Sequence, residues 1–552
     1  MKPTSLVVRV LLPALLLCAS NALKPPIVDD PAFVAIARQI ASAPTDPYGF
    51  EFFWYQQPQP ASEVLAPPVL LYWLAASMGV LGGEPAAWKW GLLPFALLLT
   101  GALADLARRL APEHATPVVW MAVVSPALLP NFNLMLDVPA LALGLAALAW
   151  SLRACDRGSG FGALGAGCLA ALSMQTKYTG VVFALAALSY LLLHRHWRLA
   201  LILAVAAALP FLAWEGFVAT SYGNSQLLSA SSLGGRGVVH TGVGLLCLLG
   251  ATSPVLGLLA LAARGVAPMR LVVAGSLAAL PFVWIPFLRA APVSSDYLPA
   301  GEHGAGVEGL GFAALGIGVL VALGGCVHAL LLRARTAREE KPHDATFLLI
   351  WLAIQLVAFS SLSPFLASRR VLGLFVVALF VIAHAASNGR ARRAGVSVVA
   401  VWGIALGLLY GIADLSDARA RARALPRALH ELSERRGAPT ARATWFTGHW
   451  GFQLQAERAG LRAVVPGVSQ LELGDWLLVP TGVKRQHIWL QTGALEHVAR
   501  VRTRSAFPWS SIPSAYIGRL PLRPQADAQL LVDLYRATRD FVPAAGTPKT
   551  GS

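Results

Sequence analysis

Charge is the scarcest commodity in this chain: 13% of its 552 residues are Asp, Glu, Lys or Arg, where a soluble globular domain carries roughly a quarter. That shortage excludes water as the solvent for most of the chain. Acidic residues are the rarer sign, 28 against 44 basic ones, giving a formal net charge of +16. The basic residues are scattered through short loops and the tail, so no stripe of the kind that grips nucleic acid forms, and nucleic acid is not an expected partner. Cysteine is sparse too. The five, Cys18, Cys155, Cys168, Cys247 and Cys326, lie in or beside apolar runs and none falls in the C-terminal region, which excludes a disulfide framework and any zinc-ligand spacing.

What the chain has is long apolar runs, such as Val371 to Ala386 with its flanks and Gly309 to Leu332. Runs of this length cross a hydrocarbon core of roughly 30 Å. Run length and flanking charge give expected spans at 5–23, 88–107, 115–131, 135–151, 161–176, 178–194, 199–219, 240–263, 271–290, 309–332, 345–363, 371–387 and 394–413. The fold expected is therefore an α-helical polytopic membrane protein with about thirteen transmembrane helices. Leu6 to Leu23 reads as a retained first span rather than a cleaved signal, and the Pro-led stretch Pro67 to Gly83 as a helix lying at the interface. Gly311, Gly316 and Gly318 suggest close helix packing.

Cytoplasmic loops are enriched in Lys and Arg. With the N-terminus inside, the inner loops carry Arg108 and Arg109; Arg153 and Arg157; Arg195 and Arg198; Arg264 and Arg270; Arg333, Arg335, Arg338 and Lys341; and Arg390, Arg392 and Arg393. The outer face then receives the long first loop (24–87), the junctions at Lys177 and at Ser368 to Arg370, and the tail. After Ala413 the composition turns polar and the apolar runs shorten to strand length, as in Ala463 to Val465 and Trp476 to Val479. Two units are expected: a transmembrane catalytic domain (1–413) and a small soluble α/β domain (414–552) outside the cytoplasm, with a disordered end from Val542. Arg419, Arg421 and Arg423 follow the last span closely and pull the other way, although long domains translocate despite their charge.

On that outer face several charges stand where charge is costly. Asp29 and Asp30 follow the first span by a few residues, Asp137 sits at a span entrance beside Asn131 and Asn133, and Glu215 lies within an apolar run. An intramembrane carboxylate marks a functional site by default, but Asp30 and Asp137 each precede a proline closely and equally suit helix caps. Lys177 with Tyr178, and Arg369 with Arg370, occupy tight outer junctions where cations either snorkel or bind phosphate. Carboxylates and cations converging on one face suit transfer from a phosphate-linked lipid: a carboxylate takes the acceptor proton and cations hold the leaving phosphate. A secondary transporter or lipid flippase is the rival reading, though it would place charges near mid-membrane. In the tail, His449 reads as a structural residue in a strand-to-helix turn.

The order of Pro-Ile-Val-Asp29-Asp30-Pro-Ala-Phe, Ala66-Pro-Pro-Val-Leu-Leu-Tyr72, Leu136-Asp137-Val-Pro-Ala-Leu-Ala-Leu, Gln175-Thr-Lys177-Tyr178-Thr-Gly and Ser368-Arg369-Arg370 resembles the GT-C membrane glycosyltransferases, in the branch of protein O-mannosyltransferases and the lipid A aminoarabinose transferase. The resemblance implies inverting transfer from a polyprenyl-phosphate sugar, at the outer side of a bacterial inner membrane, to a lipid, glycan or protein acceptor. It puts the base at Asp30 or Asp29, with Asp30 slightly preferred. Asp137, Lys177, Tyr178, Arg369, Arg370 and Glu215 then make up the substrate site. The family commonly has Arg-Tyr where this chain has Arg369-Arg370. The tail segment Trp445 to Gln453, followed by Leu473 to Val479, resembles a periplasmic appendage of some bacterial members. No cofactor is implied, and a divalent metal is neither required nor excluded.

Overall fold

The computed structural model describes residues 3–64, 66–231, 238–284, 307–335, 342–363, 365–389, 391–435, 443–490, 493–512, 515–516, 518, 521–524 and 530–545. The loop residues Arg338, Lys341 and Arg390 and the end of the expected span 271–290 lie outside them. So does the end after 545; before it, Ala545 pairs with Ile488 in a β-bridge although disorder was expected from Val542.

Each expected span overlaps helix among the described residues, but fewer than the expected number are long enough to cross. Among the described residues eight helices are long and apolar enough, or nine if the pair Thr241–Thr252 and Pro254–Ala263, bent by 73°, makes one span. Proline accounts for much of the difference. Pro254 breaks the pair, and the helix Ala115–Val123 stops at Ser125-Pro126, where the Ser125 hydroxyl accepts the Leu128 amide at 3.1 Å. Residues 124–136 then run as irregular but buried chain, which is tolerated at membrane depth only inside protein. Gly407 makes room for it, since a Cβ there would sit 1.6 Å from the Val124 carbonyl oxygen. Gly316 likewise lets its helix approach Leu246, whereas Gly318 faces open space.

Burial sorts the long helices. Asp137–Arg157 and Ser368–Ser387 are 89% and 83% buried and are enclosed by protein, whereas Trp197–Tyr222, at 28%, shows its apolar surface outward, as a lipid-facing helix does. The chain is a multi-span membrane protein. At one end of the bundle the last helix, Arg393–Ala422, runs past the boundary expected at 413 and leads through Ala424–Arg435 into the C-terminal domain. That domain is a five-stranded sheet in the order Arg462–Ala463, Thr444–Phe446, Trp476–Thr481, Leu530–Ala537, Leu495–Thr503. The first two of these pairings are parallel, with the helix Trp450–Arg458 as crossover, and the last two are antiparallel.

Buried ions join the domain to the bundle. Lys24 Nζ lies 2.7 Å from Asp414 Oδ2 and 2.7 Å from the Pro130 carbonyl, and donates to the Tyr516 hydroxyl. One turn along the last helix, Asp417 accepts the amides of Ser511 and Ile512, at 3.1 and 2.9 Å, and the Ser510 hydroxyl. The helix thus holds the strap that contains Ser510–Ile512 and Tyr516. Replacing Asp414 by Asn leaves Lys24 buried without its counter-ion, and is expected to cost about 3–5 kcal/mol of stability. Thermal or SDS unfolding in micelles measures this, and a variant within about 0.5 kcal/mol of the parent would contradict the role given to the pair.

Candidate functional site

Five of the expected site residues meet at the end of the bundle that carries the C-terminal domain. Asp137 is the first residue of its helix, where the macrodipole favours an anion. Lys177 is extended, at φ −159° and ψ +131°, between the helix ending at Met174 and the short turn Tyr178–Gly180. That junction is tight because a Cβ at Gly180 would come within 2.6 Å of the Ser173 carbonyl oxygen. Arg369 and Arg370 belong to a single turn, Ser368–Val371, that opens the central helix Leu372–Ser387. The strap positions that turn: the Ser368 amide and hydroxyl both donate to the Ala515 carbonyl, at 2.8 and 2.6 Å.

These side chains form a row of alternating charge. Arg369 reaches Asp29 Oδ2 at 2.9 Å with Nη2 and Asp137 Oδ2 at 3.7 Å with Nη1, and Lys177 bonds to the other oxygen of Asp137. Arg370 lies over the Phe365 ring, 4.7 Å from its centroid, and makes no ion pair among the described residues. Three cations face two carboxylates. Asp137, Lys177, Arg369 and Arg370 line a cavity of about 70 Å³ whose further wall is mostly apolar, with Leu141, Phe183, Phe359 and Leu372 beside the polar Gln355 and Ser363. An anionic head with an apolar tail fits such a lining.

The other three expected residues are elsewhere engaged. The Asp30 carboxylate is fully buried; its Oδ2 accepts the Ile27 amide at 2.9 Å and lies 3.9 Å from Lys89 Nζ. Burial pushes that carboxyl above its ordinary range, against the pull of Lys89, the Ile27 amide and Lys24. Asp29 and Asp30 are adjacent at a helix start, where successive side chains point in different directions, and it is Asp29 that faces the cations. Tyr178 turns away from Lys177 and donates to Glu215 at 2.7 Å, while Glu215 also accepts the Ser225 hydroxyl and the Leu227 amide. Glu215 is thereby satisfied as the anchor of a turn. Asn131 and Asn133 are structural as well, donating to the Ala127 and Pro130 carbonyls and to Ser368 and Tyr516.

Sequence reasoning missed Lys24, Lys89 and Lys484. Lys89 carried a signal, a lone cation inside an expected span. Lys484 carried none.

Residues 66–214 match the family described as dolichyl-phosphate-mannose-protein mannosyltransferase. Over those 149 of its 552 residues the chain is similar to that family of membrane glycosyltransferases. The match holds the Ala66 to Tyr72, Asp137 and Lys177 segments. No curated protein sequence matches the chain. Among solved structures, the oligosaccharyltransferase AglB from Archaeoglobus fulgidus, in complex with an inhibitory peptide and a dolichol-phosphate, is 15% identical at a TM-score of 0.46; the alignment covers 84% of this chain and 64% of that one. ArnT from Cupriavidus metallidurans, bound to undecaprenyl phosphate, is 12% identical at a TM-score of 0.36, over 97% of this chain and 98% of that one. The chain thus spans under two-thirds of the AglB length.

The C-terminal domain is clasped to the first loop. His449 Nε2 donates to the Tyr55 carbonyl at 2.5 Å, at the tip of a hairpin of the first loop, and Gln453 Nε2 donates to Phe53 O at 3.2 Å. His449 is a structural clasp, as the turn it occupies suggested. Its burial depresses the imidazole pKa from 6.5 to about 4. Between those values the unfolded chain binds the proton and the folded chain does not, so the stability that neutral His449 contributes is present above about pH 6.5 and is lost as pH falls toward 4. His449→Gln is expected to flatten this slope in unfolding curves taken across that window; an unchanged slope would contradict the assignment.

Proposed function

We propose that this protein is a membrane glycosyltransferase that moves a sugar from a polyprenyl-phosphate donor to an acceptor at the outer face of a bacterial inner membrane, with inversion. The observation that carries the reading is the row Asp29, Arg369, Asp137, Lys177, flanked by Arg370, above an apolar-walled cavity. Arg370 and Lys177 hold the donor phosphate, and Arg369 orients Asp29. The charges gather at one end of the bundle rather than at mid-span, which favours a transferase over a transporter.

The chemistry is a single displacement. Asp29 accepts the proton of an acceptor hydroxyl, whose oxygen bonds to the anomeric carbon. The bond from that carbon to the phosphate oxygen breaks, and its electron pair leaves with the polyprenyl phosphate, which gains one negative charge. Cations placed where that charge develops lower the barrier, and here side chains supply the positive charge that a divalent ion supplies in other transferases. Asp29 takes the role of base over Asp30, because the Asp30 carboxylate is sealed against Lys89 and the Ile27 amide.

Transfer from a radiolabelled polyprenyl-phosphate sugar in membranes tests this. Asp29→Asn is expected to lower the rate by about 10²–10⁴-fold with the fold intact. Arg370→Gln is expected to weaken polyprenyl-phosphate binding by about tenfold or more. Asp30→Asn is expected to cost stability first. Full transfer by Asp29→Asn, with loss in a well-folded Asp30→Asn protein, would move the base to Asp30.

A further inference from the structure

Where the C-terminal domain meets the first loop lies a cation that the transfer chemistry leaves unused. Lys484 follows the central strand Trp476–Thr481 by three residues, and its own backbone is fixed, its carbonyl accepting the His449 amide at 2.8 Å. Val483 is buried in the core, while Lys484 extends to the first-loop hairpin and lays its ammonium on the Tyr55 ring, 2.7 Å from the centroid. Tyr55 is itself held in place: its backbone is left-handed at φ +61°, its carbonyl is clasped by His449, and next to it Gln56 Oε1 accepts the His487 amide at 2.9 Å. Non-glycine residues keep such a conformation when surrounding contacts impose it, and they concentrate at functional sites. Val28, immediately before Asp29, is a second one, at φ +44°.

The Lys484 ammonium carries three donors and has no hydrogen-bond acceptor or ion pair among the described residues. It is half-buried, and burial draws it down to about 8 while Asp29 pulls it back up. An ammonium taken partly from water costs free energy until an anion completes it; the ring returns only part of that. Lys484 does not line the cavity of Arg370 and Lys177.

We propose that Lys484 and Tyr55 form the acceptor subsite, and that the acceptor carries an anionic group, phosphate or carboxylate, beside the hydroxyl it presents to Asp29. This rests on the transferase reading. Lys484 pairs with the anion, the Tyr55 ring packs against the adjoining carbon skeleton, and Asp29 lies within the field of Lys484.

The test uses the full chain in phosphatidylcholine vesicles and reads the rate at which an amine-reactive reagent acylates Lys484, by mass spectrometry. Inorganic phosphate or acetate, at several times its Kd, is expected to slow acylation by about fivefold, and the better of the two names the anion. Saturating polyprenyl phosphate is expected to leave the rate unchanged. Tyr55→Ala is expected to remove the protection. In transfer assays with native membranes as acceptor source, Lys484→Gln is expected to lose about tenfold while its polyprenyl-phosphate binding is kept, and Lys484→Arg to recover most of the loss. Protection by neither anion, or equal protection by polyprenyl phosphate, would overturn the proposal. Because protection is read without transfer, its failure is distinct from that of the transferase reading, which Asp29→Asn reports.

Discussion

A charge in an apolar helix bundle must find an opposite charge or a polar cage, and at the C-terminal end of this bundle that requirement fixes where the chain can go. Lys24 reaches Asp414 across 390 residues of sequence, and Lys89 reaches Asp30 while also holding the Lys24 and Pro25 carbonyls. These pairs are buried, so removing one member strands the other. They bind the first loop, the irregular chain at 124–136, the last helix and the strap through Tyr516 into one unit. The row of charges at the site sits on that foundation, because the strap that Asp414 and Asp417 hold is also the strap that fixes Ser368, and with it Arg369 and Arg370.

The division of labour between two neighbouring carboxylates follows from the same constraint. Asp30 is consumed by the foundation and Asp29 is left to the cleft. Similarly, Asp137 and Glu215 both interrupt apolar surroundings, yet Asp137 is bracketed by two cations whereas Glu215 is satisfied by a tyrosine, a serine and a backbone amide. A carboxylate that opposes cations beside a cavity is available to a substrate. One that closes a turn is not.

Much of this was legible in the residues. Run length located the helices, and the misplaced charges at Asp29, Asp137, Lys177, Arg369 and Arg370 are ones that the fold brings together. Three things were not legible. Prolines such as Pro126 and Pro254 cut apolar runs into pieces too short to cross, so composition overstated the spans. The direction of a side chain at a turn set Asp29 against Arg369 and Asp30 against Lys89, and turned Tyr178 away from its neighbour Lys177. Partners far apart in sequence, Lys24 with Asp414 above all, leave no local trace, and a lysine such as Lys484 is ordinary in a polar tail until its position over Tyr55 is seen.

The central claim is that the cations at one end of the bundle form a seat for a lipid phosphate beside Asp29. A cryo-EM or crystal structure of the full chain with bound polyprenyl phosphate tests it most directly. The account predicts phosphate density within hydrogen-bond reach of Arg370 and Lys177, with the first isoprene units along the wall of Phe183 and Phe359. Phosphate seated elsewhere, for instance in the opposite-end cluster of Arg109 with Asp156 and Asp344, would contradict it.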